Sequence, residues 1–390
     1  MKLKKSIIAC ICLLAMGLGI GHHVYEGYAA ANVAAEAVGV SVQAQDILDG
    51  MTLHEKICQM MVVYQYGLPN GSGTVAALET GAPLKNALEK YPVGGILYDA
   101  QSIQSHDQLK TLVATADSYS EIPLLFTIDE EGGSVARIGN KIGYHLGGVT
   151  KLGLMGTYES QGTPVAYSNA KYIAENIAWH GFNLDFAPVA DTNSNQSNPV
   201  IGKRAYSTNF NTAAQLVAAA VQGFHDGGVG CTLKHFPGHG DTSGDTHAGS
   251  VVLKKTVDEL RANELKPFKA GIDAGADAVM LAHIIVEEIG EPTLFSHHLV
   301  TDVLRGELGF DGVVITDGLQ MQAMTDVYSV TDIVLKGTKA GVDIFLCPAN
   351  LEEAVTALEK AVERGEITEE RIDESVLRIL QLKIDRGIIA

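Results

Sequence analysis

Cysteine is scarce in this chain, and the few residues present are badly placed for cross-linking. Of the five in 390 residues, Cys10 and Cys12 lie near the N-terminus, while Cys58, Cys231 and Cys347 stand singly among apolar neighbours. That scatter excludes a disulfide framework or zinc ribbon and reads as three buried small hydrophobes. Basic residues are in deficit too, 28 Lys and Arg against 46 Asp and Glu, for a net charge of -18. The resulting field repels phosphate backbones and anionic membrane surfaces, so nucleic acid is a poor partner and a neutral substrate suits the chain better. Beyond an Ala-rich polar stretch ending near Gln45 there is no long linker, low-complexity segment or composition break. A disordered or fibrous protein is therefore excluded.

The N-terminus carries an address. Lys2, Lys4 and Lys5 precede an apolar run from Ser6 to Ile20, too short to span a bilayer comfortably, and Ala29, Ala30 and Ala31 follow. This is the pattern of a secretory signal with a small-residue cleavage site, or of an uncleaved N-terminal anchor. The expected organisation is residues 1–31 as signal or anchor, 32–50 as a polar lead-in and 51–390 as a single catalytic domain. The expected location is outside the cytoplasm: extracellular, envelope-associated or periplasmic.

Eight short apolar runs recur along the remainder, each with a longer helical pattern behind it. They begin at Met60, Gly95, Leu124, Leu184, Cys231, Ala278, Val313 and Ile344. Continuous rather than alternating apolar runs between amphipathic helices call for parallel strands covered on both faces. Eight such units in about 340 residues predict a single α/β domain of the (β/α)8, TIM-barrel-like class. An open doubly wound sheet is the alternative, but no Gly-rich dinucleotide fingerprint follows the first strands. Thr52-Leu53-His54-Glu55 has capping-box spacing for a short helix through Cys58, and the last helix is expected from Ile372 to Arg386, ending at Gly387.

In such a barrel the strand C-termini form the active face. Asp129-Glu130-Glu131-Gly132-Gly133 follows the third run, Lys234-His235 the fifth, His283 the sixth and Asp317 the seventh. Singly, each has an ordinary explanation: a carboxylate at a strand end serves as a helix N-cap, and a lone His as a satisfied core residue. Together on one rim they mark a site. The densest segment, Lys234 to His247, holds three Gly and one Pro, so His235 and His239 share no helical face despite their i, i+4 spacing. Its His235, His239, Asp241, Asp245 and His247 match no familiar metal-ligand spacing, and no metal or cofactor is expected. The other reading is a mobile loop, hinged at Gly238, Gly240 and Gly244, that presents Asp245 and His247 as an acid/base pair.

The segments Lys234-His235-Phe236-Pro237-Gly238-His239-Gly240 with Asp245-Thr246-His247, Ile128 to Gly133, Phe186 to Asp191 and Gly309 to Asp317 closely resemble glycoside hydrolase family 3. The likeness is to its β-N-acetylglucosaminidase (NagZ-like) branch and runs from about Met51 to Gly387. It implies that Asp317 is the nucleophile of a covalent glycosyl-enzyme, that His247 is the acid/base partnered by Asp245, and that Asp129, Arg137, Arg204, Lys234 and His235 bind the sugar. The implied activity is exo-release of β-linked N-acetylglucosamine from peptidoglycan fragments or related glycans, with a β-glucosidase or glycoside phosphorylase as the alternative. The chain departs from common versions at Gly318, where many relatives carry a second Asp, and at Ser134, where many carry Arg. Retaining hydrolysis needs a carboxylate nucleophile and a proton donor, and an imidazole, whose ordinary pKa is about 6.5, donates near neutrality without a strongly raised carboxylate.

Overall fold

Each of the eight apolar runs forms a strand in the computed structural model, which describes residues 41–146 and 155–390. The signal or anchor expected over 1–31, and residues 32–40 of the lead-in, lie outside the described residues. The strands are β1 (Met61–Tyr64), β2 (Gly95–Leu97), β3 (Leu125–Ile128), β4 (Leu184–Asp185), β5 (Gly230–Phe236), β6 (Ala278–Leu281), β7 (Val313–Thr316) and β8 (Phe345–Leu346). They pair in parallel in the order β7-β6-β5-β4-β3-β2-β1-β8. A parallel bridge between Ile315 and Ile344, with the Thr316 N–H donating to Ile344 O at 3.0 Å, closes β7 onto β8 and completes the barrel. The strands are buried along nearly their whole length, which is why they read as unbroken apolar runs.

The helices α1 (Ala82–Lys90), α2 (His106–Ser118), α3 (Thr163–Ala178), α4 (Phe210–Asp226), α5 (Leu265–Asp273), α6 (His298–Glu307, wound as a π-helix), α7 (Val330–Ala340) and α8 (Leu351–Glu363) follow the strands in turn. In α4 the buried residues Ala213, Leu216, Val217, Ala220, Val221 and Phe224 recur at the three- and four-residue spacing of one helical face. Starts are set by side-chain caps: Ser105, Asn209, Ser329 and Asn350 each accept a backbone N–H from the first turn of the helix that follows. The Thr52–Glu55 capping box forms as expected and opens the helix Leu53–Gln59. The final helix α9 (Glu369–Asp385) starts three residues before the expected Ile372, because Thr368 caps it, and Gly387 follows its end with φ +66.

Residues 51–390 form one compact unit; of the residues before it, the described part is a short helix, Val42–Leu48, capped by Ser41. Two small sheets stand outside the barrel. A hairpin pairs Glu130–Gly132 with Val135–Ala136 just past β3, and Val251–Leu253 pairs in parallel with Ile284–Val286 beyond β5 and β6. Neither is legible in the sequence, since two- and three-residue strands give no period to read. Cys58, Cys231 and Cys347 are free and buried, as their spacing implied.

Lys383, on α9, is fully buried, and its Nζ donates to Gln59 Oε1 at 2.8 Å. Burial pushes its pKa down to about 7, offset only weakly by Asp117. A lysine whose folded pKa lies below its unfolded value destabilises the fold at and below the folded pKa, and this cost fades as pH rises toward the unfolded value, at about 1.4 kcal/mol per pH unit. Lys383→Met is therefore expected to raise the melting temperature relative to the parent at pH 7, with the difference shrinking between pH 7 and 10. Thermal melts of both proteins across that window check it; a difference that grew with pH would refute the sign.

Candidate active site

The ends of β3, β5 and β7, with the loop after β4, enclose a cavity of about 280 Å³ lined by Asp129, Glu131, Arg204, Lys234, His235 and Asp317, with His247 on its wall as well. The carboxylates arise from a simple alternation. Past Ile128 the chain stays extended, so Asp129 and Glu131 point to one side and Glu130 to the other. Lys234 at the end of β5, only 2% exposed, lies between the first two, with Nζ 2.8 Å from Asp129 Oδ1 and 2.7 Å from Glu131 Oε1. Arg204 binds Glu131 with a two-pronged contact, Nε to Oε2 at 2.9 Å and Nη2 to Oε1 at 2.7 Å. Arg137 reaches Asp129 Oδ2 at 3.2 Å.

The charges decide one another's state. Burial alone would raise the Asp129 carboxyl, but Lys234 and Arg137 hold it far below the carboxylate range. Burial likewise opposes ionisation of Glu131, and Arg204 and Lys234 overcome it. Lys234 is pulled down by burial and held above its ordinary value by the same two carboxylates. The result is a fixed array of ionised acceptors and cationic donors, the groups that grip the hydroxyls of a neutral sugar. Glu130, turned away, accepts from the N–H groups of Ile138 and Gly139 and from the Tyr144 hydroxyl, and burial pushes its pKa up to about 7. It anchors the short helix Arg137–Lys141 that begins with Arg137.

His235 is set by a residue that the sequence reading quoted but assigned no role. Asp191 Oδ2 lies 2.6 Å from His235 Nδ1 and also accepts the His235 N–H, while its Oδ1 accepts the His239 N–H at 2.6 Å. Burial opposes the charge of Asp191, yet its two histidine neighbours hold it ionised. That carboxylate holds a proton on His235 Nδ1, and the ring's Nε2 lies 3.4 Å from Arg204 Nη2.

Asp317 leaves the end of β7 with its N–H donating to Leu281 O, and its Oδ1 accepts the Gly318 N–H at 2.7 Å. Burial works against its charge, but His235, the Gly318 N–H and Lys234 hold its pKa below the ordinary value. The helix-cap explanation fails here. The next helix, Gln322–Thr325, is preceded by Met321 and has no side-chain cap.

His247 lies on the loop after β5 with its side chain 67% exposed, and its Nδ1 is 2.8 Å from Asp245 Oδ1, which also accepts the His247 N–H. Burial raises Asp245 somewhat, and these two contacts more than reverse it. The loop is held more firmly than its glycines implied. A Cβ on Gly240 would meet Thr192 O at 1.8 Å, Gly238 has φ +128, and Asn198 Nδ2 donates to the carbonyls of His239 and Thr242. Gly238 and Gly240 thus serve close packing and a left-handed turn; they are not hinges. Thr246 is buried, and its carbonyl accepts the Ala323 N–H, tying the tip to the loop after β7.

All eight residues expected at the site gather here. The sequence reading placed Glu131 and His283 at strand ends and quoted Asp191 and Thr246 within motifs, but gave none of the four a role; strand alternation from Asp129 could have marked the first. The side chains of a loop metal site are drawn into separate pairings instead, His235 with Asp191, His239 with Thr242 and His247 with Asp245. Among the described residues, ligand-type atoms converge at His225, Cys231 and Asp277, where β5 begins. Ser134 lies exposed in the turn of the hairpin past β3.

Residues 52–382 match the model of the glycosyl hydrolase family 3 N-terminal domain. The chain is 34% identical over 343 residues to beta-hexosaminidase A of Pseudoalteromonas piscicida, covering 81% of this chain and 57% of that protein, so it spans little more than half of that relative. It is 38% identical over 290 residues to the beta-hexosaminidase of Stenotrophomonas maltophilia (strain K279a), covering 73% of this chain and 85% of that one. The fold superposes on a glycoside hydrolase family 3 beta-N-acetylglucosaminidase from Paenibacillus sp. str. FPU-7 with a TM-score of 0.79 and 36% identity, over 87% of this chain and 64% of that one. A barrel with this strand order, a family model matched along nearly all of it and relatives of this similarity establish that the chain belongs to glycoside hydrolase family 3.

Proposed function

We propose that the protein is an exo-acting, retaining β-N-acetylglucosaminidase that hydrolyses terminal β-linked N-acetylglucosamine through a covalent glycosyl-Asp317 intermediate. The observation that carries this is an ionised carboxylate, Asp317, set against a fixed array of hydroxyl-binding groups in a cavity with room for one sugar ring rather than a chain. Asp317 attacks the anomeric carbon as the bond to the leaving oxygen breaks, and His247 gives that oxygen its proton. His247 then takes a proton from water, whose oxygen displaces Asp317 with a second inversion. Asp245 fixes the tautomer by holding Nδ1–H, leaving Nε2 to carry the transferred proton. Lys234, Arg204, Arg137, Asp129 and His235 hold the ring while its charge develops.

The names of the relatives support N-acetylglucosamine as the sugar, and the N-terminal signal pattern supports an exported enzyme, extracellular, envelope-associated or periplasmic, acting on a peptidoglycan fragment or related glycan. The test compares an aryl β-N-acetylglucosaminide with the matching β-glucoside, each with and without added phosphate. Strong preference for the acetamido sugar, with free sugar as product and no effect of phosphate, is expected. Equal or better turnover of the glucoside overturns the substrate, and a sugar phosphate as product overturns hydrolysis.

A further inference from the structure

We infer that His283, at the end of β6, is a positioning residue for Asp317, and that it supplies a restraint made necessary by Gly318. The inference rests on the proposed role of Asp317. His283 is 2% exposed, and its Nε2 lies 3.0 Å from the carbonyl oxygen of Gly318. A carbonyl only accepts, so the imidazole carries its proton on Nε2 and donates it there. Its Nδ1 is buried without a partner, which a neutral ring tolerates and a charged one does not. Burial lowers the pKa of His283 against the pull of Asp317, in keeping with that neutral form.

The contact falls on the peptide next to the Asp317 carboxylate. The Asp317 N–H is tied to Leu281 O, the Gly318 N–H to Asp317 Oδ1 and the Leu319 N–H to Leu346 O. Each of these fixes an N–H group; the carbonyl of Gly318 is held by the Met321 N–H at 3.2 Å and, from a separate strand, by His283. Residue 318 is also the one without a side chain, so its backbone has the widest choice of conformations on either side of the Asp317 carboxylate. Space does not demand the glycine. A Cβ there would meet nothing nearer than Met321 Sδ at 3.8 Å, and its φ is not in the left-handed region. His283 therefore adds a side-chain restraint, anchored on β6, to a peptide that the Met321 N–H holds only from within its own loop, and with it to the N–H that orients Asp317 Oδ1. His283 touches no substrate in this scheme; it acts through Gly318.

The experiment compares His283→Gln with His283→Met on an aryl N-acetylglucosaminide, and repeats both in a Gly318→Ala background. The Gln amide nitrogen can take the place of Nε2 and donate to the same carbonyl, while Met fills the space and donates nothing. The expected result is that His283→Met lowers kcat by about 10²-fold with little change in KM, since an ångström-scale misplacement of a reacting group costs about that much. His283→Gln should retain most of kcat, and the effect of His283→Met should shrink several-fold in the Gly318→Ala background. Circular dichroism and melting of each variant establish folding. If the two His283 variants lose activity equally, or if the effect of His283→Met is unchanged by Gly318→Ala, the positioning role is overturned. The rate at which a slow fluorosugar labels the parent protein separates this from the proposed function: label on a residue other than Asp317 sinks the role assignment, whereas label on Asp317 at the same rate in parent and His283→Met sinks only the role of His283.

Discussion

Replacing Asp317 with Ala is expected to lower kcat by on the order of 10⁴- to 10⁶-fold, because the proposed first step loses its nucleophile altogether. The protein should remain folded. The Asp317 side chain accepts only the Gly318 N–H among the described contacts and caps no helix, so its removal withdraws no tertiary pairing. A fluorosugar that slows the second step should leave a covalent mass on the parent peptide containing Thr316-Asp317-Gly318 and none on the variant. Azide offers a second check: in the space vacated by the carboxylate it should attack from the same side and restore turnover of an activated aryl glycoside, giving the inverted glycosyl azide. A label on Asp129 or Glu131 would overturn the assignment. So would an Asp317→Ala enzyme that still worked and had merely lost about 1 kcal/mol of stability, the cost of a missing cap.

His247→Ala should show a different signature, one that depends on the leaving group. General acid help is worth about 10²- to 10⁴-fold and is needed less as the departing group becomes a better anion. The full loss is expected on a disaccharide or muropeptide, and a much smaller one on the first step with an aryl glycoside of an acidic phenol. On that aryl substrate the second step, which needs His247 as base, should then become limiting. A burst of phenol equal to the enzyme concentration should precede a slow steady state. Asp245→Ala should follow the same trend more mildly, since Asp245 orients the ring through Nδ1 and transfers no proton itself. Stopped-flow and steady-state rates on a series of phenols measure this. A loss of the same size on every substrate would show the imidazole to be a binding residue.

The exposure of His247 fits such a role. A donor that meets the bond between a buried sugar and an outward-facing aglycone belongs at the mouth of the cavity, and that is where the tip of the loop after β5 holds it, tied through Thr246 to the loop that follows Asp317. The proposed proton donor and nucleophile are thus joined by backbone. The hinge reading of Gly238 and Gly240 failed because glycine has two distinct uses, freedom and close approach, and a sequence shows only that the side chain is missing. What distinguished them was Thr192 O lying where a Cβ would stand on Gly240.

The sequence by itself determined the barrel and most of the cast. Apolar runs long enough to be buried on both faces, helices with one apolar stripe and side-chain caps at their starts are local patterns, set by residues a few positions apart. Placing Asp129, Lys234, His235 and Asp317 just beyond strand ends followed from the same local reading. Their partners did not. Lys234 meets Asp129 across 105 positions of chain, Arg204 meets Glu131 across 73, and Asp191 meets His235 across 44. These pairings exist because ring closure brings the ends of separate strands to one rim, and only there do burial and opposing charge set which carboxylates stay ionised. Glu130 and Glu131 show the division clearly: adjacent and chemically alike in sequence, one is pushed up to about 7 by burial that its hydrogen bonds and the field of Arg137 do not offset, while the other is held ionised by Arg204 and Lys234. Electrostatic state depends on distance in space, and the tertiary structure alone decides that distance.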